Sequence, residues 1–263
     1  MSNPQPASAS SYRGLRAISA LMLREMSSTY GNSIMGYFWA LAEPVGGVAI
    51  LTFVFSLALR APGLGDSFAL FYASGFLPFS AFMDLSRKTA TSIRFSKSLL
   101  YYPRVTFVDA LIARVVLNSL TQLMIGAIFL ACILPFSRTH IFLNAPVLFW
   151  SYVMAISLAV GVGTINCYLF WRFPAWERIW SVITRPLFIG SAIFFTFESV
   201  PEAVKGYLWL NPLVHVVGQA RDGIYVLYEP SYISQSYVFG ISAFLGVLGM
   251  LLLWGNSKEI LNG

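Results

Sequence analysis

Gly31-Asn-Ser-Ile-Met-Gly36 sets two glycines at the spacing of a phosphate-cradling loop. Such a loop also needs a lysine and a Ser or Thr directly after the second glycine, to reach the phosphates and their metal. Tyr37-Phe38 stand there instead, so the stretch is not a nucleotide site. Other sources of chemistry are equally sparse. HExxH, CxxC and Gly-x-Ser-x-Gly are absent from the sequence. His140 and His215 are solitary and read as hydrogen-bonded interfacial side chains. Cys132 and Cys167 lie in apolar runs and read as small hydrophobes, not a disulfide or a metal site. No carboxylate pair suggests acid–base work, so no catalytic or metal-ligating residue is predicted. What stands out is charge in apolar surroundings: Glu43 beside Pro44, Arg114 and Arg185.

The elements that must position these charges follow from composition. Of 263 residues, 57% are hydrophobic and only 11% charged, against about a quarter charged in a soluble domain. That is a membrane protein, and the simplest organisation is one all-α polytopic domain. Crossing about 30 Å of hydrocarbon takes roughly 20 helical residues. Six runs qualify: Ile34–Leu59, Phe68–Leu85, Val105–Leu134, Pro146–Phe170, Ile179–Phe197 and Tyr237–Trp254. An even number leaves both termini on one side. That side carries Arg13, Arg16, Arg24, Arg87, Lys88, Arg94, Lys97, Arg104, Arg172, Arg178 and Lys258; the other carries Arg60, Arg138, Lys205 and Arg221. The positive-inside rule makes the richer side cytoplasmic. It also accounts for the net charge of +6 without a nucleic-acid partner.

Residues 1–11 are polar, lack the build of a cleaved signal peptide and are expected to be disordered and retained. Three further segments lie outside the runs. In 12–30, Leu15, Ile18, Met22 and Met26 share one helical face, as in an amphipathic helix on the membrane surface. Segment 86–104 is basic and ends in Leu99-Leu100-Tyr101-Tyr102-Pro103, a greasy tip suited to a groove on a soluble partner. Segment 198–236 holds a second apolar stretch interrupted by Asn211-Pro212 and Arg221-Asp222. Short helices dipping part way into the membrane suit it better than a seventh span.

The stretch Leu23–Pro44, with Gly36-Tyr-Phe-Trp-Ala-Leu-Ala-Glu-Pro44 at its end, resembles the start of the first span in ABC-2 type permeases. More narrowly, it resembles the capsular polysaccharide exporters of the KpsM/BexB/CtrC kind. Ser98–Val105 with Asp109 and Arg114, Pro186–Glu198, and Asn211-Pro-Leu-Val-His215 resemble further motifs of that family in the same order. Ser27-Ser-Thr-Tyr30 departs from it, since relatives often carry Lys or Arg there. The resemblance implies a homodimer in the bacterial inner membrane, each copy docking a separate ATPase subunit that holds the ATP and Mg. It implies a lipid-linked polysaccharide as cargo, and a periplasmic co-polymerase and outer-membrane exporter continuing the path. The rival readings are the same fold with O-antigen, teichoic acid, lipid or drug as cargo, and a stand-alone channel or secondary carrier.

Site expectations follow. Sugar rings present apolar faces that pack on aromatic rings, so Tyr37, Phe38, Trp39, Phe71, Tyr72, Phe76, Phe79, Phe188 and Phe194, with Arg185, are candidates for a substrate channel. Glu43 lies about 13 Å along a helix from Ile34 and is expected to pair with Arg114 or Arg185, with Pro44 kinking the helix beside a cavity. Arg24, Arg94, Leu99, Leu100, Tyr101 and Tyr102 are expected at the ATPase interface. Asn211, Pro212, His215, Arg221 and Asp222 are expected at a periplasmic gate or partner surface.

Overall fold

The computed structural model describes residues 18–27, 34–100, 106–136, 143–225, 227–257 and 259. Among them the regular structure is entirely helical. Helix α1 covers 18–27. It is followed by α2 (Ile34–Ala58), α3 (Phe68–Ala90), α4 (Ser92–Leu100), α5 (Phe107–Ile133), α6 (Ala145–Arg172), α7 (Pro174–Ile189), α8 (Glu202–Trp209), α9 (Pro212–Asp222) and α10 (Gln235–Gly255). Five of these, α2, α3, α5, α6 and α10, are long and apolar enough to cross a membrane. We call the side of α4 the basic side and the side of α8 and α9 the opposite side.

The starts are set by short polar side chains. Ser67, Asn144, Asn211 and Ser234 each accept a backbone N–H at the head of α3, α6, α9 and α10. Thr106 and Asp109 form a reciprocal capping box on α5, with Thr106 N donating to Asp109 Oδ2 at 3.0 Å. The expected fifth span is not one helix. α7 ends at Ile189, after Pro186 and before Gly190, and the chain from 190 to 196 is irregular. Proline removes a donor and glycine ends helices readily, so both residues favour a stop here. Ala192 takes a positive φ of 56° in this turn.

Helices α3 and α6 form the centre, with α10 packed on α6, α2 and α5 on α3, and α9 against both α3 and α6. Where they cross, glycine lets backbones meet. A Cβ on Gly161 would strike the Ser242 carbonyl of α10, and one on Gly249 would lie 2.6 Å from Ile165 N. A Cβ on Gly163 would fall 2.5 Å from Thr89 Cβ of α3. Small residues at helix crossings are the usual route to tight packing in lipid. Segment 198–236 contributes α8 and α9, of 8 and 11 residues, too short to cross. α9 from Leu213 to Arg221 is wholly buried.

Candidate functional site

A cavity of about 510 Å³ opens between α2, α3 and α5 in the half of the bundle nearer the basic side. Trp39, Glu43 and Pro44 come from α2, Phe76, Phe79, Asp84, Arg87 and Lys88 from α3, and Thr121 and Gln122 from α5. Asp84 Oδ2 is engaged twice, by Lys88 Nζ at 2.8 Å and Gln122 Nε2 at 2.6 Å. Glu43 faces this space exposed, and α2 continues through Pro44 without a break. The helix attaches to α3 chiefly through Pro44, Gly47 and Val48, with the Phe76 ring lying where a Gly47 side chain would be.

From the cavity an aromatic run leads toward the opposite side. Phe79 and Phe188 have ring centroids 5.2 Å apart, Phe188 and Phe194 5.1 Å, and Phe194 and Phe55 5.5 Å. Phe76 joins edge-on to Phe188 at 6.1 Å. Aromatics from α2, α3, α7 and the following turn thus meet. Phe38 projects outward from α2, and Trp39 stands at the cavity rim with 66% of its surface exposed. Side-chain hydroxyls, amides and charges at the cavity end can hydrogen-bond sugar hydroxyls, and the partly exposed rings of Phe76, Phe188 and Phe194 can meet sugar faces, while Phe79 is buried in the core behind them.

Two other channel expectations are corrected. Phe71 and Tyr72 are sealed in the protomer core. The Phe71 ring lies 4.4 Å beneath the Arg221 guanidinium, and Tyr72 packs on Phe55 at 5.1 Å. α3 is the central helix and buries nearly every face, so aromatic type does not distinguish its cavity side from its core side. Tyr37 lies in α2 with its side chain outside the described residues.

The Glu43 pairing is corrected as well. Arg114 Nε donates to Glu25 Oε1 of α1 at 2.9 Å, and both residues are buried, Glu25 with 4% of its surface exposed. Asn118 Nδ2 donates to the same oxygen at 3.2 Å, Arg114 reaches Thr91 Oγ1 at 3.5 Å, and its guanidinium lies 4.2 Å over the Phe95 ring of α4. The pair forms because α1 turns Glu25 inward, with Ile18, Leu21 and Met22 partly covered on the same face and Met26 outside it. Arg185 is exposed and, among the described residues, neither it nor Glu43 forms an ion pair.

On the basic side, Arg24 is exposed and Arg94 of α4 donates to Glu177 of α7 at 2.9 Å. α4 is anchored from below by buried Ser92, Ile93 and Ser96, with Ile93 packing near Cys167 and Leu253. Leu99 and Leu100 belong to α4, their side chains outside the described residues, and Tyr101 and Tyr102 lie outside them altogether. So do the 1–11 tail and His140.

On the opposite side, Asn211-Pro212-Leu213-Val214-His215 is a clasp. Asn211 Oδ1 caps α9 at Leu213 N, 3.0 Å, and its Nδ2 donates to the Gly190 carbonyl at 2.8 Å. Pro212 fills the first turn of α9, where its missing N–H costs nothing. Ser234 N donates to His215 Nδ1 at 3.2 Å, so Nε2 carries the proton and donates to Trp209 O at 2.9 Å. Arg221 is fully buried, its Nη1 donating to Phe195 O at 2.7 Å and Nη2 to Ile193 O at 2.9 Å. Asp222 accepts from Gln219 at 3.3 Å, and burial with Glu229 nearby raises its pKa.

Burial pushes the His215 pKa below the usual imidazole value, partly opposed by its hydrogen bonds to the backbone. A depressed pKa means that the fold favours the neutral ring. That contribution is complete above the unfolded value of about 6.5 and is lost as pH falls below it. Thermal midpoints in detergent should therefore fall from pH 8 to pH 5, and fall less in His215→Gln. Equal slopes in the two proteins would remove His215 as the cause.

These spans, the basic-side helices and the opposite-side clasp define a class. Residues 16–225 match the ABC-2 type transporter membrane family, and the chain belongs to that family. It is similar to the polysialic acid transport protein KpsM of Escherichia coli, with 29% identity over 218 residues and 83% of each chain covered. It is also similar to the capsule polysaccharide export inner-membrane protein CtrC of Neisseria meningitidis serogroup B, at 24% over 249 residues, covering 93% of this chain and 92% of the relative. The corresponding protein BexB of Haemophilus influenzae is 24% identical over 255 residues, with the same coverage.

Proposed function

We propose that this chain is the permease of an ATP-driven exporter that moves lipid-linked capsular polysaccharide across the inner membrane. The observation that carries this reading is the cavity between α2, α3 and α5, lined by Trp39, Glu43, Phe76, Arg87 and Gln122 and continued by the partly exposed rings of Phe188 and Phe194, in a chain of the ABC-2 family similar to capsule exporters. Shallow stacking surfaces share binding among many sugars, so no single contact stops a moving chain. Glu43, Arg87 and Gln122 offer hydrogen bonds to hydroxyls at the start of the path, and Arg185 lies farther along α7.

The permease works as a homodimer. α2 buries little of itself and turns Phe38, Trp39, Ile50, Phe53 and Leu57 outward, a surface a second copy can cover. A separate ATPase subunit holds ATP and Mg and docks on α4 and the Leu99–Tyr102 tip, with Arg24 and Arg94 beside it. Both termini share its cytoplasmic side, in keeping with the basic residues there. Asn211, Pro212, His215, Arg221 and Asp222 hold the periplasmic end, where a co-polymerase and an outer-membrane exporter continue the route.

The experiment is the location of polysaccharide in a strain lacking this chain. Glycan missing from the surface and accumulating inside the cell is the expected result. Unchanged surface glycan sinks the capsule assignment and turns attention to lipid or small-molecule cargo.

A further inference from the structure

α7 is weakly embedded for its length. None of its residues is buried, and its main helix neighbour is α6. Polar contacts hold its two ends. At the basic side, Glu177 in its first turn accepts from Arg94 of α4 at 2.9 Å. At the opposite side, the Gly190 carbonyl accepts from Asn211 at 2.8 Å, and the carbonyls of Ile193 and Phe195 beyond it accept from Arg221. Some 20 Å of helix separates the two attachments, at about 1.5 Å per residue.

The near-end contact adds little stability. Both partners are substantially exposed, with 61% and 41% of their side-chain surfaces accessible, and such pairs contribute about 0–1 kcal/mol. Glu177 does not need Arg94 to suit its place either, because a carboxylate in the first turn already complements the helix dipole. What the pair does is join α4 to α7 across 83 residues of sequence. A helix is stiff along its axis, so a displacement given to Glu177 reaches Gly190 and the α8–α9 clasp.

We infer that Glu177 is a positioning residue of the transport cycle: through Arg94, movement of α4 is delivered to α7 and to the clasp at its far end. The inference rests on the proposed function, because it needs an ATPase acting on α4.

The test uses the permease with its ATPase in proteoliposomes. Tyr207→Cys on α8, 79% exposed, reports the far end in a Cys132→Ala background, since Cys132 is the exposed native thiol and Cys167 is buried. Its labelling by a membrane-impermeant maleimide is followed with and without ATP. Glu177→Lys and Arg94→Glu each place like charges together and should shrink the ATP-dependent change in labelling by about fivefold, the size of a 1 kcal/mol coupling. The ATPase rate should persist in Glu177→Lys, which lies off the proposed docking surface, and the Arg94→Glu/Glu177→Arg swap should restore the change in labelling. An undiminished response in the single variants, no response in the wild-type complex, or failure of the swap would overturn the inference. Co-purification of the ATPase is scored separately: without it the export reading fails, and this inference with it.

Discussion

Arg221→Leu should lower the stability of the folded protein by about 3–5 kcal/mol, through the two backbone carbonyls it strands. Arg221 is fully buried and its guanidinium satisfies Ile193 O and Phe195 O. These carbonyls exist because α7 stops at Ile189 and the chain runs on without helical hydrogen bonds. Irregular backbone at membrane depth survives only when protein or water completes it. Each buried carbonyl left bare costs about 1–3 kcal/mol, and losing the packing on Phe71 at 4.4 Å adds to this. Removing a buried cation recovers part of the loss, because burying charge is expensive. The recovery is incomplete, since the partners are fixed backbone and remain behind. Arg221→Lys should fall between, because an ammonium lacks the planar fork that spans two acceptors. Thermal unfolding in detergent, read by loss of the monodisperse chromatographic peak, measures both variants. A leucine variant that melts like the wild type would refute this account.

The second large effect is expected at Glu25 and Arg114. Breaking a buried pair by removing one partner leaves an uncompensated charge and costs about 3–5 kcal/mol. Arg114→Met strands Glu25 and removes the cation over Phe95, so α1, α4 and α5 lose their common attachment. Glu25→Gln strands Arg114 while keeping the shape. Both should insert into the membrane yet lose export, because α1 and α4, on the side proposed to dock the ATPase, would no longer be tied to α5. The Glu25→Arg/Arg114→Glu exchange should recover part of the stability and not all of it, since Asn118 and Phe95 are arranged around a guanidinium on α5. Wild-type export in Arg114→Met would show that this buried pair has no part in coupling.

How much of this could be read in the residues alone varies by position. The long spans were legible because apolar length is a direct property of sequence, and α2, α3, α5, α6 and α10 lie within the expected runs or extend them by a few residues. Caps were legible in kind, since Ser67, Thr106, Asn144, Asn211 and Ser234 are residues that close helix starts. The partner of Arg114 was not. Glu25 lies 89 residues away, and which charge meets which is decided by how helices pack, a step no local pattern encodes. Arg221 was visible as an oddity, but its partners are carbonyls that every residue possesses. The signal was elsewhere, in Pro186 and Gly190, which mark where α7 must stop and acceptors must appear. In the channel, Phe76 and Phe79 line the cavity while Phe71 and Tyr72 do not, although all four are aromatics of α3. Packing separates them: Arg221 of α9 covers Phe71, and Phe55 of α2 covers Tyr72.

α7 also bears on how the protein is made. It has 16 residues and carries Glu177, Arg178 and Arg185, so it is too short and too charged to partition into a bilayer by itself. α6 ends at Arg172 and α7 begins at Pro174, with Trp176 Nε1 donating to Asn166 of α6 at 2.9 Å. The two therefore enter the membrane as a hairpin, the apolar length of α6 carrying its partner. The orphan carbonyls beyond Ile189 then wait for α9, which is synthesised later and brings Arg221. The turn after α7 is thus completed by a residue well downstream of it, and a chain truncated before residue 221 should leave these carbonyls unpaired, which limited proteolysis of the truncated protein would reveal as cleavage near residues 190–196.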